Sequence, residues 1–196
     1  MSKHLTAKWS ALAMALAIGF APATLWAQQA ETSELRLIPS SRVEKLAGVW
    51  VDGRYVGYVD EFKGHTTLSL TPGKHTLVIR ELGMKETTRE LDLASGGTLD
   101  FVVRMLEPEP VPEPAGETAS LKINFAPDSA AVFVDGKFQG PVVQFGGIAR
   151  TLKLPAGKHV VKISESGYKD FVTTVDLAPD QMLTIENRLD PVQTAP

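Results

Sequence analysis

Hydrophobic and polar positions alternate in short runs along most of the chain. In residues 49–56 and 132–139 a Val-aromatic-Val run is followed by Asp-Gly. This is a strong hairpin signal, because a type I′ turn needs positive φ at both central residues. Residues 68–70, 91–93 and 152–154 also alternate with period two, and no window after the N-terminal segment keeps a helical period. The pattern therefore predicts an all-β chain of short antiparallel strands.

The chain contains an internal duplication. Residues 49–57 match residues 132–140 at an offset of 83, and residues 72–75 match residues 156–159 at an offset of 84. The second offset continues to Arg104 and Arg188. A register of this length indicates two copies of one unit. Several short strands at this spacing predict that each copy is a small antiparallel β-sandwich.

An acidic, proline-rich segment separates the copies. Residues 107–118 read EPEPVPEPAGET and contain no cation. Proline and like charges favour an extended spacer, which at about 3.1 Å per residue can hold two modules about 30 Å apart. Such a segment can also bind aromatic-lined grooves, but the spacer is the favoured interpretation. The predicted division is a signal peptide (1–27), a tail (28–34), a first repeat (35–106), a linker (107–120), a second repeat (121–190) and a C-terminal tail (191–196).

The first 27 residues resemble an export signal. Lys3 and Lys8 precede the apolar run WSALAMALAIGFA, and Leu25-Trp26-Ala27 has the small residue that a signal peptidase requires. An uncleaved anchor helix is the alternative, but 13 residues are too few to cross about 30 Å of hydrocarbon. We expect cleavage near Ala27, a periplasmic or cell-surface location, and no integral membrane segment in the mature chain.

Composition excludes several classes of function. The chain has no cysteine, so disulfides, thiol nucleophiles and cysteine metal sites are ruled out. Its formal net charge of −3 argues against nucleic acid as a partner, because binding to phosphates needs a clustered basic surface.

The order of motifs in both copies resembles the PEGA domain. Val-aromatic-Val-Asp-Gly-Arg/Lys is followed by Gly-Lys-His and, in the second copy, by Ser166-Gly167-Tyr168-Lys169. The first copy has Met84 where the second has Tyr168. The resemblance implies a small β-sandwich of exported and surface proteins that serves as an accessory or interaction module. It implies no catalytic residues.

The Asp and His residues of the repeats are interpreted as structural. Asp52 and Asp135 lie in Asp-Gly turns, where Asp tolerates positive φ and bonds its own turn. His75 and His159 alternate with the apolar residues of a strand, and no second imidazole or thiolate stands at ligand spacing. We therefore expect neither an enzyme nor a bound metal or cofactor.

Aromatic pairs are the candidate ligand- or partner-binding residues. In two-residue hairpins Trp50 faces Tyr55, Val49 faces Val56, and Phe133 faces Phe138. An inward pair stabilises packing, and an outward pair offers a platform for sugar rings or a partner. Burial is the favoured interpretation.

Together these features predict a non-enzymatic exported binding or scaffolding module that recognises another envelope protein, with strand addition at a sheet edge as one route. The alternative is a cell-wall or surface glycan-binding module that uses the Trp50–Tyr55 face.

Overall fold

The computed structural model describes residues 31–146 and 150–193. The predicted signal peptide lies outside these ranges. The described residues form 14 strands and three short 3-10 turns, with no α-helix. We call β1–β7 the first module and β8–β14 the second module. The first module consists of β1 (Ser33–Pro39), β2 (Gly48–Val51), β3 (Arg54–Tyr58), β4 (Leu68–Leu70), β5 (Gly73–Arg80), β6 (Thr87–Leu93) and β7 (Thr98–Val103). The second consists of β8 (Thr118–Ala126), β9 (Ala131–Val134), β10 (Lys137–Pro141), β11 (Leu152–Pro155), β12 (Gly157–Ser164), β13 (Phe171–Leu177) and β14 (Met182–Arg188).

Each module has two sheets with the same strand order. The first module has the sheets β4-β1-β7 and β3-β2-β5-β6, and the second has β11-β8-β14 and β10-β9-β12-β13. The pairs β1–β7 and β8–β14 are parallel, whereas the other pairs are antiparallel. This arrangement confirms the predicted all-β fold with two small sandwiches. Within the described ranges the structure contains no helix long and apolar enough to cross a membrane.

Alternation along the strands places one apolar face of each sheet against the other sheet. In β8, for example, every second residue from Ala119 to Phe125 is buried. Burying one such aliphatic side chain stabilises a fold by about 1.5–3 kcal/mol. Each module has its own core, and the completely buried residues include Leu35, Leu37, Val49, Leu77 and Ile79 in the first and Leu121, Ile123, Val132, Val161 and Ile163 in the second.

The Asp-Gly hairpins form as predicted, with one difference in register. Asp52 and Gly53 have φ values of 51° and 78°, as a type I′ turn requires. Trp50 faces Tyr55, but Val49 faces Gly57, so the predicted pairing of Val49 with Val56 is wrong. A β-bulge causes the shift. Gly57 has φ of 137°, and a Cβ at this residue would collide with the Glu61 carboxylate.

The second hairpin has the same bulge. Phe133 faces Phe138 as predicted, and Val132 faces Gly140. Gly140 has φ of 138°, nearly equal to that of Gly57. The duplication therefore reproduces an irregularity of the backbone as well as the regular strands.

The start of the acidic segment is attached to the first module. The Lys85 amide donates to the Glu107 carbonyl (2.8 Å), and the Glu109 amide donates to the Gly83 carbonyl (2.9 Å). The second module ends in the same way, since the Val192 amide donates to the Gly167 carbonyl (2.8 Å). Residues 110–117 are exposed.

Candidate interface between the two repeats

The structure brings all four candidate aromatic residues together. Trp50 on β2 and Tyr55 on β3 project from the outer face of their sheet, because the neighbouring Val49 and Val51 face the core. The equivalent β9–β10 hairpin meets them from the second module. The cluster buried between the modules, here called the intermodule cluster, consists of Trp50, Tyr55, Val78, Ala131, Phe133 and Phe138.

The rings of the intermodule cluster meet at distances typical of favourable aromatic packing. The centroids of Trp50 and Phe138 are 5.0 Å apart and the ring planes cross at 85°. Trp50 and Tyr55 are 5.1 Å apart, and the Arg80 guanidinium lies 4.6 Å from the centre of the Trp50 ring. Trp50 is only 5% exposed and Tyr55 only 7%. The aromatic face is therefore buried by the second module and lies outside either module's own core.

Gly48 allows the modules to approach closely. A Cβ at this residue would lie 2.7 Å from Cζ of Phe138 and 2.8 Å from the Trp50 ring. The corresponding residue of the second copy is Ala131, which is completely buried. Close packing thus depends on the absence of a side chain at Gly48.

Among the residues that the structure describes, one hydrogen bond crosses directly between the modules. The Tyr55 hydroxyl donates to the Ser129 carbonyl at 2.6 Å. Burial raises the pKa of Tyr55 well above its usual range, so the phenol remains a donor at every physiological pH. Phe138, at the equivalent position of the second copy, has no hydroxyl with which to donate a reciprocal bond.

Carboxyl groups from both modules lie beside this hydrogen bond. Glu165 accepts from the Ser129 hydroxyl at 2.9 Å, and Glu61 accepts from the Tyr58 amide at 3.0 Å. Burial raises the pKa of both carboxyls, and the charges of Glu165 and Asp128 raise that of Glu61 further. The first and second modules therefore place acidic groups near one another at this side of the interface.

A groove of about 500 Å³ runs along the line where the modules meet. Aromatic rings and charged side chains from both modules line it, including Trp50, Arg54, Tyr55, Phe133, Lys162 and Tyr168. Trp50 and Tyr55 therefore border the groove while most of their surface is covered. We call this feature the intermodule groove.

In the first module Asp52 and His75 bind each other directly. His75 Nδ1 lies 2.7 Å from Oδ2 of Asp52, and His75 Nε2 lies 2.8 Å from the Thr71 carbonyl oxygen. The other oxygen of Asp52 accepts from the Thr76 amide at 2.9 Å. Because both ring nitrogens face acceptors, the imidazolium is the form that satisfies both contacts. The hydrogen bond to Asp52, followed by that to Thr71, raises the pKa of His75.

The second module repeats this Asp–His pair. His159 Nδ1 lies 2.7 Å from Oδ2 of Asp135, and His159 Nε2 lies 2.9 Å from the Pro155 carbonyl oxygen. Burial opposes the charged form of His159, but its two acceptors outweigh burial and raise the pKa. The structural role predicted for these residues rested on each separately, whereas the structure joins the Asp-Gly turn to the Gly-Lys-His motif. In the described part of the chain, no three His, Asp or Glu residues are grouped to hold a metal ion.

Comparison with solved structures finds only distant similarity. The Bacillus anthracis TIE protein is 13% identical, with a TM-score of 0.29 over 83% of this chain and 34% of its own. A streptococcal ancillary pilin is 14% identical, with a TM-score of 0.27 over 84% of this chain and 64% of its own. A minor pilin of Streptococcus agalactiae is 11% identical, with a TM-score of 0.25 over 85% of this chain and 98% of its own. The chain thus spans about a third of the first protein and less than two thirds of the second.

A search of curated proteins finds no relative that matches the sequence. In contrast, the family model of the PEGA domain matches residues 118–193. This range begins with β8 and ends just beyond β14. Residues 118–193 are therefore a PEGA domain.

Proposed function

We propose that the chain is an exported, non-enzymatic binding or scaffolding module that recognises another cell-envelope protein. The surface we assign to this recognition is the intermodule groove. The observation that carries the proposal is that both modules contribute side chains to one groove, so that docking of the repeats creates a surface that neither repeat has alone.

The chemistry of the groove suits a segment of protein. Phe133 and Tyr168, which are half-buried, supply apolar ring surface, and Arg54 is an exposed cation at its edge. Protein interfaces are enriched in aromatic residues and arginine, and such residues account for much of their binding energy. Lys162 already pairs with Asp170 at 2.7 Å, which leaves Arg54 as the better candidate for an acidic group of the partner.

The duplication supports a second element of the proposal. The first module has the strand order, the bulge and the Asp–His pair of the PEGA domain at residues 118–193. We propose that it is a second, divergent PEGA-like repeat. Export to the periplasm or cell surface is supported by the signal-like pattern that ends near Ala27.

A charge reversal at the groove tests the proposal. The immobilised chain is incubated with an extract of the host cell envelope, and retained proteins are identified by mass spectrometry. We expect a defined protein that the wild-type chain retains and that Arg54→Glu loses. Lys137→Glu is the matched control, because Lys137 is the exposed equivalent of Arg54 in the second copy and does not line the groove. Equal retention by both variants, or no retained protein, would contradict the proposal.

The same experiment separates protein recognition from the alternative of glycan binding by the Trp50–Tyr55 face. Sugar stacking needs an open ring face, and Trp50 is only 5% exposed. We therefore favour a protein partner. Protease treatment of the extract should abolish retention if the partner is a protein. Retention of peptidoglycan fragments or other saccharides from the treated extract would support the glycan alternative.

A further inference from the structure

The two modules differ at one edge of their four-stranded sheets. This edge is formed by β6 in the first module and by β13 in the second, and each of these strands has one neighbour in its sheet. Proteins protect such edges with charges, proline or bulges, because unpaired backbone groups can pair with another chain. The middle of β6 carries the exposed charges Arg89 and Glu90. The structurally equivalent residues of β13 are Thr173 and Thr174, so this edge has no charged residue between Phe171 and Val175.

The β13 edge is open in the described part of the chain. The backbone groups of residues 171–177 make no hydrogen bond there beyond the ladder with β12. Val172 is 59% exposed, and Val160 on the neighbouring strand is 46% exposed. The corresponding residues of the first module are Thr88 and Thr76. The second module thus has a seven-residue edge strand with an uncharged centre and one charged residue, Asp176, near its end, whereas the first has charges at its centre.

We infer that β13 pairs with β13 of a second copy of this chain, in antiparallel orientation about a two-fold axis through Thr174. The resulting sheet is continuous and has eight strands, four from each copy. This inference goes beyond the proposed function, because it assigns a different surface and a different partner. The chemistry of the strand suits pairing with a second copy. A two-fold axis places the centre of β13 opposite itself, and because this centre is uncharged, no like charges meet there.

Charge and face together select the register. A two-fold pair that keeps the buried faces of both sheets on one side places a single residue opposite its own copy. If that residue were Thr173, Asp170 of each copy would lie opposite Asp176 of the other copy. Like charges directly opposite each other are destabilising, so this register is disfavoured. With Thr174 on the axis, Val172 faces Asp176 and Thr173 faces Val175. No like charges then oppose each other within the strand pair.

The absence of cysteine allows a direct test of this register. Opposite residues of an antiparallel pair have Cα atoms about 4.5–5.5 Å apart, which is within the range of about 4.4–6.8 Å that a disulfide spans. Under mild oxidation Thr174→Cys should therefore form a covalent dimer of the purified chain. Glu90→Cys, at the equivalent position of β6, is the matched control and should remain mostly monomeric. Equal cross-linking of the two variants would overturn the inference.

A charge on the edge provides an independent test. Sedimentation of the wild-type chain over a range of concentrations should show a monomer–dimer equilibrium. Thr174→Lys places two like charges on the axis and should raise the dimer dissociation constant about tenfold, which corresponds to about 1.4 kcal/mol. Glu90→Lys should leave the constant unchanged. Because Thr174 is exposed, we expect Thr174→Lys to fold normally. The thermal midpoint of the variant checks that its fold is retained. A wild-type chain that stays monomeric, or a Thr174→Lys variant that dimerises equally well, would contradict the pairing.

Discussion

The two modules have the same Asp–His hydrogen bond within each module, but they differ in the side chains at their interface. Asp52–His75 and Asp135–His159 have the same 2.7 Å separation in the first and second modules. At the interface, by contrast, Trp50 and Tyr55 of the first module meet Phe133 and Phe138 of the second. The contact that joins the Asp-Gly turn to the neighbouring strand is thus the same in both copies, whereas the outward faces carry different rings that meet in one interface.

The divergence is coordinated in volume. Trp50, the larger ring, lies against Gly48, and a Cβ there would collide with it at 2.8 Å. Phe133, the smaller ring, lies on the strand that carries Ala131 at the position equivalent to Gly48. A larger ring is therefore accompanied by a missing methyl group, and a smaller ring by an added one. Protein interiors are close-packed, so a change at one of these positions requires compensation at the other.

The largest expected effect comes from removing the central ring. Trp50→Ala should destabilise the chain by about 3–5 kcal/mol in urea unfolding, because it leaves a cavity between the modules. Trp50→Phe keeps a ring of the kind that the second module has, and should cost less than Trp50→Ala because it removes fewer buried atoms. Equal losses for the two variants would show that ring packing does not hold the modules together.

Cleavage of the exposed segment tests the docking itself. A proline-specific endopeptidase should cut after Pro114, which is exposed, precedes Ala115 and lies beyond the residues attached to the first module. We expect the two halves of the wild-type chain to elute together and those of Trp50→Ala to separate. Separation of the wild-type halves would favour independent modules on an extended spacer.

The next prediction concerns the close approach of the modules at Gly48. Gly48→Ala should cost about 1–3 kcal/mol, because Phe138 and Trp50 must shift to admit the methyl group. The double variant Gly48→Ala/Trp50→Phe reproduces the pair that the second module has. It should be more stable than the sum of the single changes, and thermal unfolding of all three variants measures the coupling. Simple additivity would contradict coordinated packing.

The strands and hairpins were predictable from the sequence because their signals are local. Period-two alternation gives the strands, and Asp-Gly gives the turns at residues 52–53 and 135–136. The bulge was not predictable in this way, because Val56 fits a regular strand and its displacement depends on the backbone of Gly57 and the nearby Glu61.

Contacts between distant residues were harder to predict. Asp52 and His75 are 23 residues apart, and each has a sufficient local explanation. The recurrence of both residues in the second copy, as Asp135 and His159, was the signal that could have joined them. Docking of the modules was also missed, because proline and like charges in the linker favour extension. The linker's composition contains no information about which outward faces meet.

A smaller effect is expected from the Tyr55 hydroxyl. Tyr55→Phe removes the 2.6 Å bond to the Ser129 carbonyl and should cost about 1 kcal/mol in urea unfolding. Ser129→Ala keeps that carbonyl and loses the hydroxyl that donates to Glu165. The cost of Tyr55→Phe should therefore be the same in the Ser129→Ala background. A cost that disappears in that background would show that the Tyr55 hydroxyl acts through the Ser129 side chain.

The smallest expected effect tests whether the two Asp–His pairs are equivalent. Because His75 and His159 have raised pKa values, each stabilises the fold fully below the ordinary histidine pKa of about 6.5 and loses this contribution as the pH rises through the folded-state value. Asp52 and Asp135 have lowered pKa values, so their contribution is present above about 4 and is lost as the pH falls through the folded-state value. Both contributions coexist between about pH 4 and pH 6.5.

The thermal midpoint of the wild-type chain should therefore fall more steeply between pH 6 and pH 9 than that of His75→Gln/His159→Gln. Each pair should contribute at most about 1 kcal/mol to the free energy of unfolding, because each aspartate is about half exposed and solvent screens the charge. Burial raises the pKa of Glu81 to about 7, but Glu81 is present in both proteins and its contribution cancels in the difference. Each single variant should remove about half of the extra slope. Removal of the whole slope by His159→Gln alone would show that only the second module depends on its pair.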